Sequence, residues 1–237
     1  MIAHPDKFAG FYNNGLLDFD RRLAYYAYQQ FKPYFKNKTC LELGPATGYM
    51  TCHLLNDFKE VTAVEGSLNL LEQIPDHPSL VKVHSLFEEY EPGKKFDTII
   101  MSHVLEHIFD PVALLKRIKG WLADEGVFIV GVPNAKSFHR LAAVEMDLLK
   151  TIYTLNDRDR AVGHYRVYDM DTLQKDAESA GYKVIDTGGI FIKFLTNKQI
   201  DDALNKEFLN EAIMDAYFKL SNVFKENSAE IFLVLGQ

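Results

Sequence analysis

The sequence predicts an α/β fold, a Rossmann-like, seven-stranded, mostly parallel sheet with helices on both faces and a helical insertion over the site. Three observations carry that expectation. Short apolar runs alternate with segments of helical period from residue 39 onward, a spacing that implies right-handed crossovers and a parallel sheet covered on both faces. A glycine turn, Gly44 to Gly48, follows the first run. A carboxylate, Glu65, closes the second run 21 residues after Gly44, where a βαβ nucleotide site needs one.

Taken in chain order, residues 16 to 36 place Leu16, Leu17, Leu23, Tyr26, Ala27, Gln30 and Phe31 at helical spacing, with Pro33 as a stop. Thr39 to Leu43 reads as a strand, and a helical pattern resumes from Thr47 through Leu55. Strands follow at 61–65 and 80–84 around a helix at 68–74. A strand at 96–101, a helix at 111–122 and a strand at 126–132 complete the regular alternation. After Pro133 the rhythm breaks into a helical stretch at 138–149 and a polar segment containing Gly163-His164-Tyr165-Arg166. Asp171 is expected to cap a helix that ends at Ala180 and Gly181, with a strand at 182–191 beyond it. A long amphipathic segment, 198–224, precedes a last strand at 231–235. The 237 residues fit one domain, 1–237, with 1–36 leading and 134–168 and 196–228 as insertions or lid.

The net charge of −7 argues against a surface that tracks phosphates. A small-molecule partner is expected instead of nucleic acid. No run of eighteen uncharged apolar residues occurs, so no membrane span is expected and the location is read as cytoplasmic. Two cysteines, Cys40 and Cys52, support neither a disulfide framework nor a thiolate metal cluster, and both read as small core residues.

The glycine turn, Leu41-Glu42-Leu43-Gly44-Pro45-Ala46-Thr47-Gly48, sits where open α/β sheets bind ligands. Glycine lets backbone approach a ligand closely and adopt positive φ. With Glu65, whose carboxylate can accept both hydroxyls of a ribose, the turn points to adenosine. A dinucleotide fingerprint would need glycine at the places held by Gly44, Ala46 and Tyr49, and a tyrosine there blocks close packing. A P-loop is excluded because no Gly-Lys-Ser/Thr follows the turn.

These residues, with Val64-Glu65-Gly66-Ser67, the run 96–101, Val104-Leu105-Glu106-His107-Ile108-Phe109-Asp110-Pro111, Val132-Pro133-Asn134 and the run 163–168, resemble the class I S-adenosylmethionine-dependent methyltransferases. The likeness extends from about residue 38 to 190 and is nearest the subgroup of ubiquinone-biosynthesis O-methyltransferases and other small-molecule enzymes. It implies S-adenosyl-L-methionine as donor and S-adenosyl-L-homocysteine as product. It also implies that Glu42, Gly44, Pro45, Ala46 and Gly48 line the methionine part. Glu65, Gly66 and Ser67 would hold the ribose, Ser85, Leu86 and Phe87 would flank the adenine, and Ser102 and His103 would face the sulfonium. Ala46 departs from the glycine common in such enzymes and is tolerable if its φ is negative.

Methyl transfer is an in-line displacement, so catalysis rests on alignment, and a base is needed only for a protonated nucleophile. His103, Glu106 and His107 stand at i, i+3 and i+4 after the fourth strand, on one face if a helical turn forms. His103 is expected as a base or acceptor-positioning group. As a trio they could instead hold a divalent metal, as relatives with a Glu-x-x-Glu-His pattern do, although His103 here replaces the first Glu. His164 and Arg166 could reach an anionic or hydroxylated acceptor, or tie the loop down. His139-Arg140 is a weaker candidate of the same kind. Phe11, Tyr12, Tyr25, Tyr26 and Tyr28 could close over the donor or pack as core, and Phe208 to Phe224 could form a lid or a homodimer face.

The expected function is methyl transfer from S-adenosylmethionine to an oxygen, or a nitrogen, of a small metabolite or sugar-derived acceptor. The alternatives are a metal-assisted O-methyltransferase acting on a diol or catechol and a non-catalytic donor-binding module.

Overall fold

Apolar runs in which every side chain must be buried on both faces dominate the middle of the chain, and they form a central sheet. The structure is a computed structural model in which residues 18–36 and 38–237 are described. Its strands are β1 (Thr39–Leu43), β2 (Glu60–Glu65), β3 (Leu80–His84), β4 (Phe96–Ser102), β5 (Leu122–Pro133), β6 (Lys183–Ile190) and β7 (Glu230–Gly236). They pair in the order β3-β2-β1-β4-β5-β7-β6. Strands β1 to β5 are parallel, and β7 runs antiparallel between β5 and β6. The chain thus has the seven-stranded, mostly parallel α/β architecture that the alternation predicts.

The helices are α1 (Asp18–Phe31), α2 (Tyr49–Leu54), α3 (Leu68–Leu71), α4 (Pro111–Lys119), α5 (Phe138–Glu145), α6 (Asp157–Ala161), α7 (Met170–Ser179), α8 (Asn197–Asn205) and α9 (Glu211–Leu220). Phe19, Leu23, Tyr26, Ala27 and Phe31 of α1 recur at helical spacing and are buried, in one core with Ile100, Ile129, Phe191, Met214 and Phe232. On the opposite face α4 and α7 contribute Leu114, Leu115, Ile118, Leu173 and Ala177 to a second core with Leu41, Ile99, Phe128 and Leu233.

Several boundaries differ from the sequence reading for local reasons. The leading helix ends at Phe31, and Lys32–Tyr34 tightens into a 3₁₀ turn around Pro33. Asp169, not Asp171, caps α7, in a reciprocal capping box with Thr172. The 198–224 segment is two helices: Glu207 turns the chain at φ 60° and Asn210 caps α9 afresh. A short helix, α6, appears in the polar insertion, where Asn156 and Asp159 form another capping box. Cys40 is buried as expected, but Cys52 on α2 is exposed.

Tyr26 and Tyr28 pack in the core, Tyr25 is exposed, and Tyr26 stacks on Phe191 and Phe218. Leu16, Leu17, Phe11 and Tyr12 lie outside the described residues. No helix among the described residues is long and apolar enough to cross a membrane.

Candidate functional site

The register of the sheet brings four strand ends level. Leu43 of β1 lies beside Val64 of β2 and Met101 of β4, and Ser102 lies beside Gly131 of β5. The loop after β1 therefore lies between Glu65 and the residues that follow β4. Gly44 N–H donates to Val64 O over 3.0 Å, which turns the chain at φ 76°. A Cβ on Gly44 would lie 2.4 Å from Val104 Cγ2, so the turn requires glycine for space as well as conformation. Ala46 sits at φ 48°, not at the negative angle that would make alanine comfortable there. Its N–H donates to Glu65 Oε2 (3.1 Å), and Ser67 N–H donates to Glu65 Oε1 (2.9 Å). The carboxylate thus holds the loop as well as facing the cavity, which accounts for an alanine in a left-handed turn.

Glu42, buried on β1, accepts the Thr51 hydroxyl over 2.6 Å. Burial pushes its carboxyl up to about 7, against the pull of that hydroxyl and with help from the charge of Glu65.

A cavity of about 940 Å³ opens over these strand ends. Of the residues the sequence offers for a donor site, Glu42, Gly44, Pro45, Ala46, Glu65, Gly66, Leu86, Phe87, Ser102 and His103 line it. Three expected donor contacts do not. Gly48 faces Ile74, where a Cβ would lie 2.8 Å away, so its positive φ serves helix packing. Ser67 caps α3 through Leu70 N–H, and Ser85 turns its hydroxyl onto Leu86 O.

Beyond the donor half the cavity continues under the insertion to Glu106, His107, His139, Arg140, Arg158, His164, Tyr165, Lys193 and Glu230. His103 holds φ 57°, pinned by its N–H to Gly131 O at 3.0 Å. Its Nε2 lies 2.9 Å from Glu230 Oε1 and its Nδ1 3.6 Å from Glu106 Oε1. Its side chain is 43% exposed, and what desolvation it suffers is outweighed by the charges of Glu230 and Glu106, which raise the imidazole to about 9. At neutral pH His103 therefore carries a proton and donates. Of the two expected roles, base and acceptor-positioning group, this charge state fits the second.

The expected metal trio does not converge either, because His103 turns to Glu230. Its place beside Glu106 and His107 is taken by His164, the three offering ligand atoms within 4.8 Å of one another. His164 Nδ1 lies 3.4 Å from Asp159 Oδ1, and its ring meets His107 edge to face at 4.6 Å. Burial lowers the His107 pKa, with Glu106 opposing. Both carboxylate oxygens of Glu106 are buried without a hydrogen-bond partner among the described residues.

Arg166 is not an acceptor clamp. Its guanidinium donates to the carbonyls of Leu105, Ile108 and Phe109 (2.9 Å), fastening the 3₁₀ turn that carries Glu106 and His107. Arg140 likewise ties the insertion down, through Ile152 O at 2.6 Å, Thr154 O and Asp159. Beside it, burial and the cations Lys193 and Arg140 push His139 down to about 2.

Sequence reasoning missed Glu230 and Lys193. Glu230 opens the antiparallel β7, and Lys193 follows the end of β6. Burial lowers Lys193 to about 8, partly offset by Glu230, and its ammonium donates to Asn197 Oδ1. The only signal in sequence was a charged residue next to an apolar strand in each case.

A family model described as a methyltransferase domain matches residues 19–187. Among curated proteins, N-methyltransferase 4 of Papaver somniferum is 28% identical over 131 residues, 50% of this chain and 36% of that protein. The chain thus spans well under half the length of that relative. Among solved structures, a methyltransferase of Thermotoga maritima, described as a possible histamine N-methyltransferase, aligns with TM-score 0.66, 17% identity and 99% of both chains. The N-methyltransferase NodS of Bradyrhizobium japonicum, solved with S-adenosyl-L-homocysteine, aligns with TM-score 0.57 at 11% identity over 92% of this chain and 87% of that one.

Proposed function

The chain belongs to the methyltransferase-domain family of class I S-adenosylmethionine-dependent enzymes, and on that premise we propose that it methylates an oxygen or a nitrogen of a small-molecule acceptor. One observation carries the reading: the cavity runs unbroken from the Gly44 turn and Glu65 to the polar wall of Glu106, His164 and Lys193. The first part suits adenosine and methionine, and the second lies beside His103, where the sulfonium would face. A cavity of about 940 Å³ supports a small acceptor, since alignment of nucleophile, methyl and leaving sulfur supplies most of the acceleration. The net charge of −7 supports the same choice over nucleic acid. His103 as an imidazolium beside Glu230 would orient the acceptor instead of deprotonating it.

Glu106, His107 and His164 also support a competing reading, a divalent ion assisting transfer to a diol or catechol. Chelation before assay separates the two.

The test of the donor site is calorimetry with S-adenosyl-L-homocysteine. Loss of two charge-assisted hydrogen bonds to ribose predicts about a hundredfold weaker binding for Glu65→Ala. Glu65→Gln, which keeps the shape of the side chain, should lose less. Unchanged affinity in both variants would remove Glu65 from the donor site.

A further inference from the structure

Glu106 is 1% exposed, and neither of its carboxylate oxygens has a hydrogen-bond partner among the described residues. A buried carboxylate without donors is costly, and such a group in a native fold calls for a ligand that completes it. The residue lines the cavity. Its position is also fixed: its own carbonyl accepts Tyr165 N–H at 2.9 Å, and Arg166 grips the carbonyls of Leu105 and Ile108 on either side. His103 forms an ion pair with Glu106 but spends its hydrogen bond elsewhere. It bonds Glu230 at 2.9 Å and leaves its other nitrogen 3.6 Å from Glu106, too far for a hydrogen bond.

Two bare oxygens need two donors. A hydroxyl acceptor brings one O–H, whereas a primary amine brings two N–H groups and still has a lone pair for attack. At the rim, Phe109 and Tyr165 line the same cavity, are 69% and 42% exposed, and meet edge to face at 5.8 Å. An aromatic ring on the acceptor would find an apolar wall there.

Resting on the donor reading above, we propose that the acceptor is a primary arylalkylamine whose nitrogen is seated on Glu106. The amine, an ammonium in water at neutral pH, gives one proton to solvent as it enters, which frees its lone pair and leaves two N–H groups directed to the two oxygens. The lone pair forms the N–C bond as the C–S bond breaks, with the bonding electrons passing to sulfur. The positive charge moves from the sulfonium to the nitrogen, which keeps its two protons as a methylammonium, and one is later released to water. Charge thus develops beside Glu106 only as the methyl moves, the condition under which a fixed carboxylate accelerates a step instead of merely tightening binding.

The experiment uses the full chain with radiolabelled methyl donor. Calorimetry with S-adenosyl-L-homocysteine comes first, and absence of binding there overturns the donor reading itself. Given binding, 2-phenylethylamine and tryptamine are assayed against 2-phenylethanol and catechol, with and without a chelator. The expected result is saturable N-methylation of at least one amine, none of the alcohol or catechol, and indifference to chelation. Glu106→Gln should lower kcat/KM for the amine at least a hundredfold with homocysteine-product affinity within twofold of the parent, and Glu106→Asp should recover part of the loss. Four results overturn the proposal: neither amine accepted, preferential transfer to the alcohol or catechol, Glu106→Gln turnover within threefold of the parent, or loss on chelation restored by Mn²⁺ or Zn²⁺.

Discussion

The two halves of the cavity are built differently. In the donor half each polar group is already answered within the protein: Glu65 by two backbone N–H groups, Glu42 by Thr51, the Gly44 amide by β2. In the acceptor half Glu106 accepts no hydrogen bond among the described residues, His103 is held in a left-handed conformation, and neighbouring charges come from β7, the end of β6 and the insertion. The donor half is built mainly from residues 42 to 67, with Leu86, Phe87 and Ser102 added from the ends of β3 and β4. The acceptor half exists only when segments more than a hundred residues apart meet. A site that always binds the same donor can be completed in advance, whereas a site for a variable acceptor leaves its polar groups for the substrate to complete.

The sharpest way to break the donor half is Gly44→Ala. Left-handed strain and the collision with Val104 together predict a loss of about 4 kcal/mol, read by urea unfolding, with donor affinity lost as well. Next is Glu42→Gln. The folded carboxyl titrates near 7 against an ordinary 4.5, so the fold prefers its protonated form. Stability from this group is complete below pH 4.5 and declines as pH rises through 7, by about 3 kcal/mol in total. The variant should be more stable than the parent at pH 8, equal to it near pH 4.5, and flatter in between. Equal pH slopes for both would show that Glu42 is not the titrating group.

In the acceptor half, Glu230→Gln should drop the His103 pKa from about 9 toward the ordinary 6.5, because the charge that raises it most is removed. Nuclear magnetic resonance of the ring protons reads this directly, and an unshifted titration would place the controlling charge on Glu106. The smallest expected effect is Ala46→Gly, a gain of about 1 kcal/mol from relief of the positive φ, seen as a rise of about 2 to 4 °C in Tm for a chain of this size. A fall in Tm would show that the Glu65 contact depends on the alanine.

The sequence by itself determined the order of strands and helices, the turn at Gly44 and the carboxylate at Glu65, because all three are written in short-range pattern: alternation of period, glycine where φ is positive, an acid at the end of a strand. It also identified Glu106 and His107 as neighbours, since they share one turn. It did not reveal that Asp169 caps α7 or that 198–224 bends at Glu207, because capping and chain reversal depend on which backbone groups remain unpaired after packing.

Only the tertiary structure decided what His103 is. Its partner, Glu230, opens the one central strand that runs antiparallel, so its start, not its end, lies at the carboxyl edge where the parallel strands finish. The same folding placed His164 beside Glu106 and sent Arg166 to backbone carbonyls. A charge state is set by burial and by neighbours that are distant in sequence, and neither exists until the sheet is assembled.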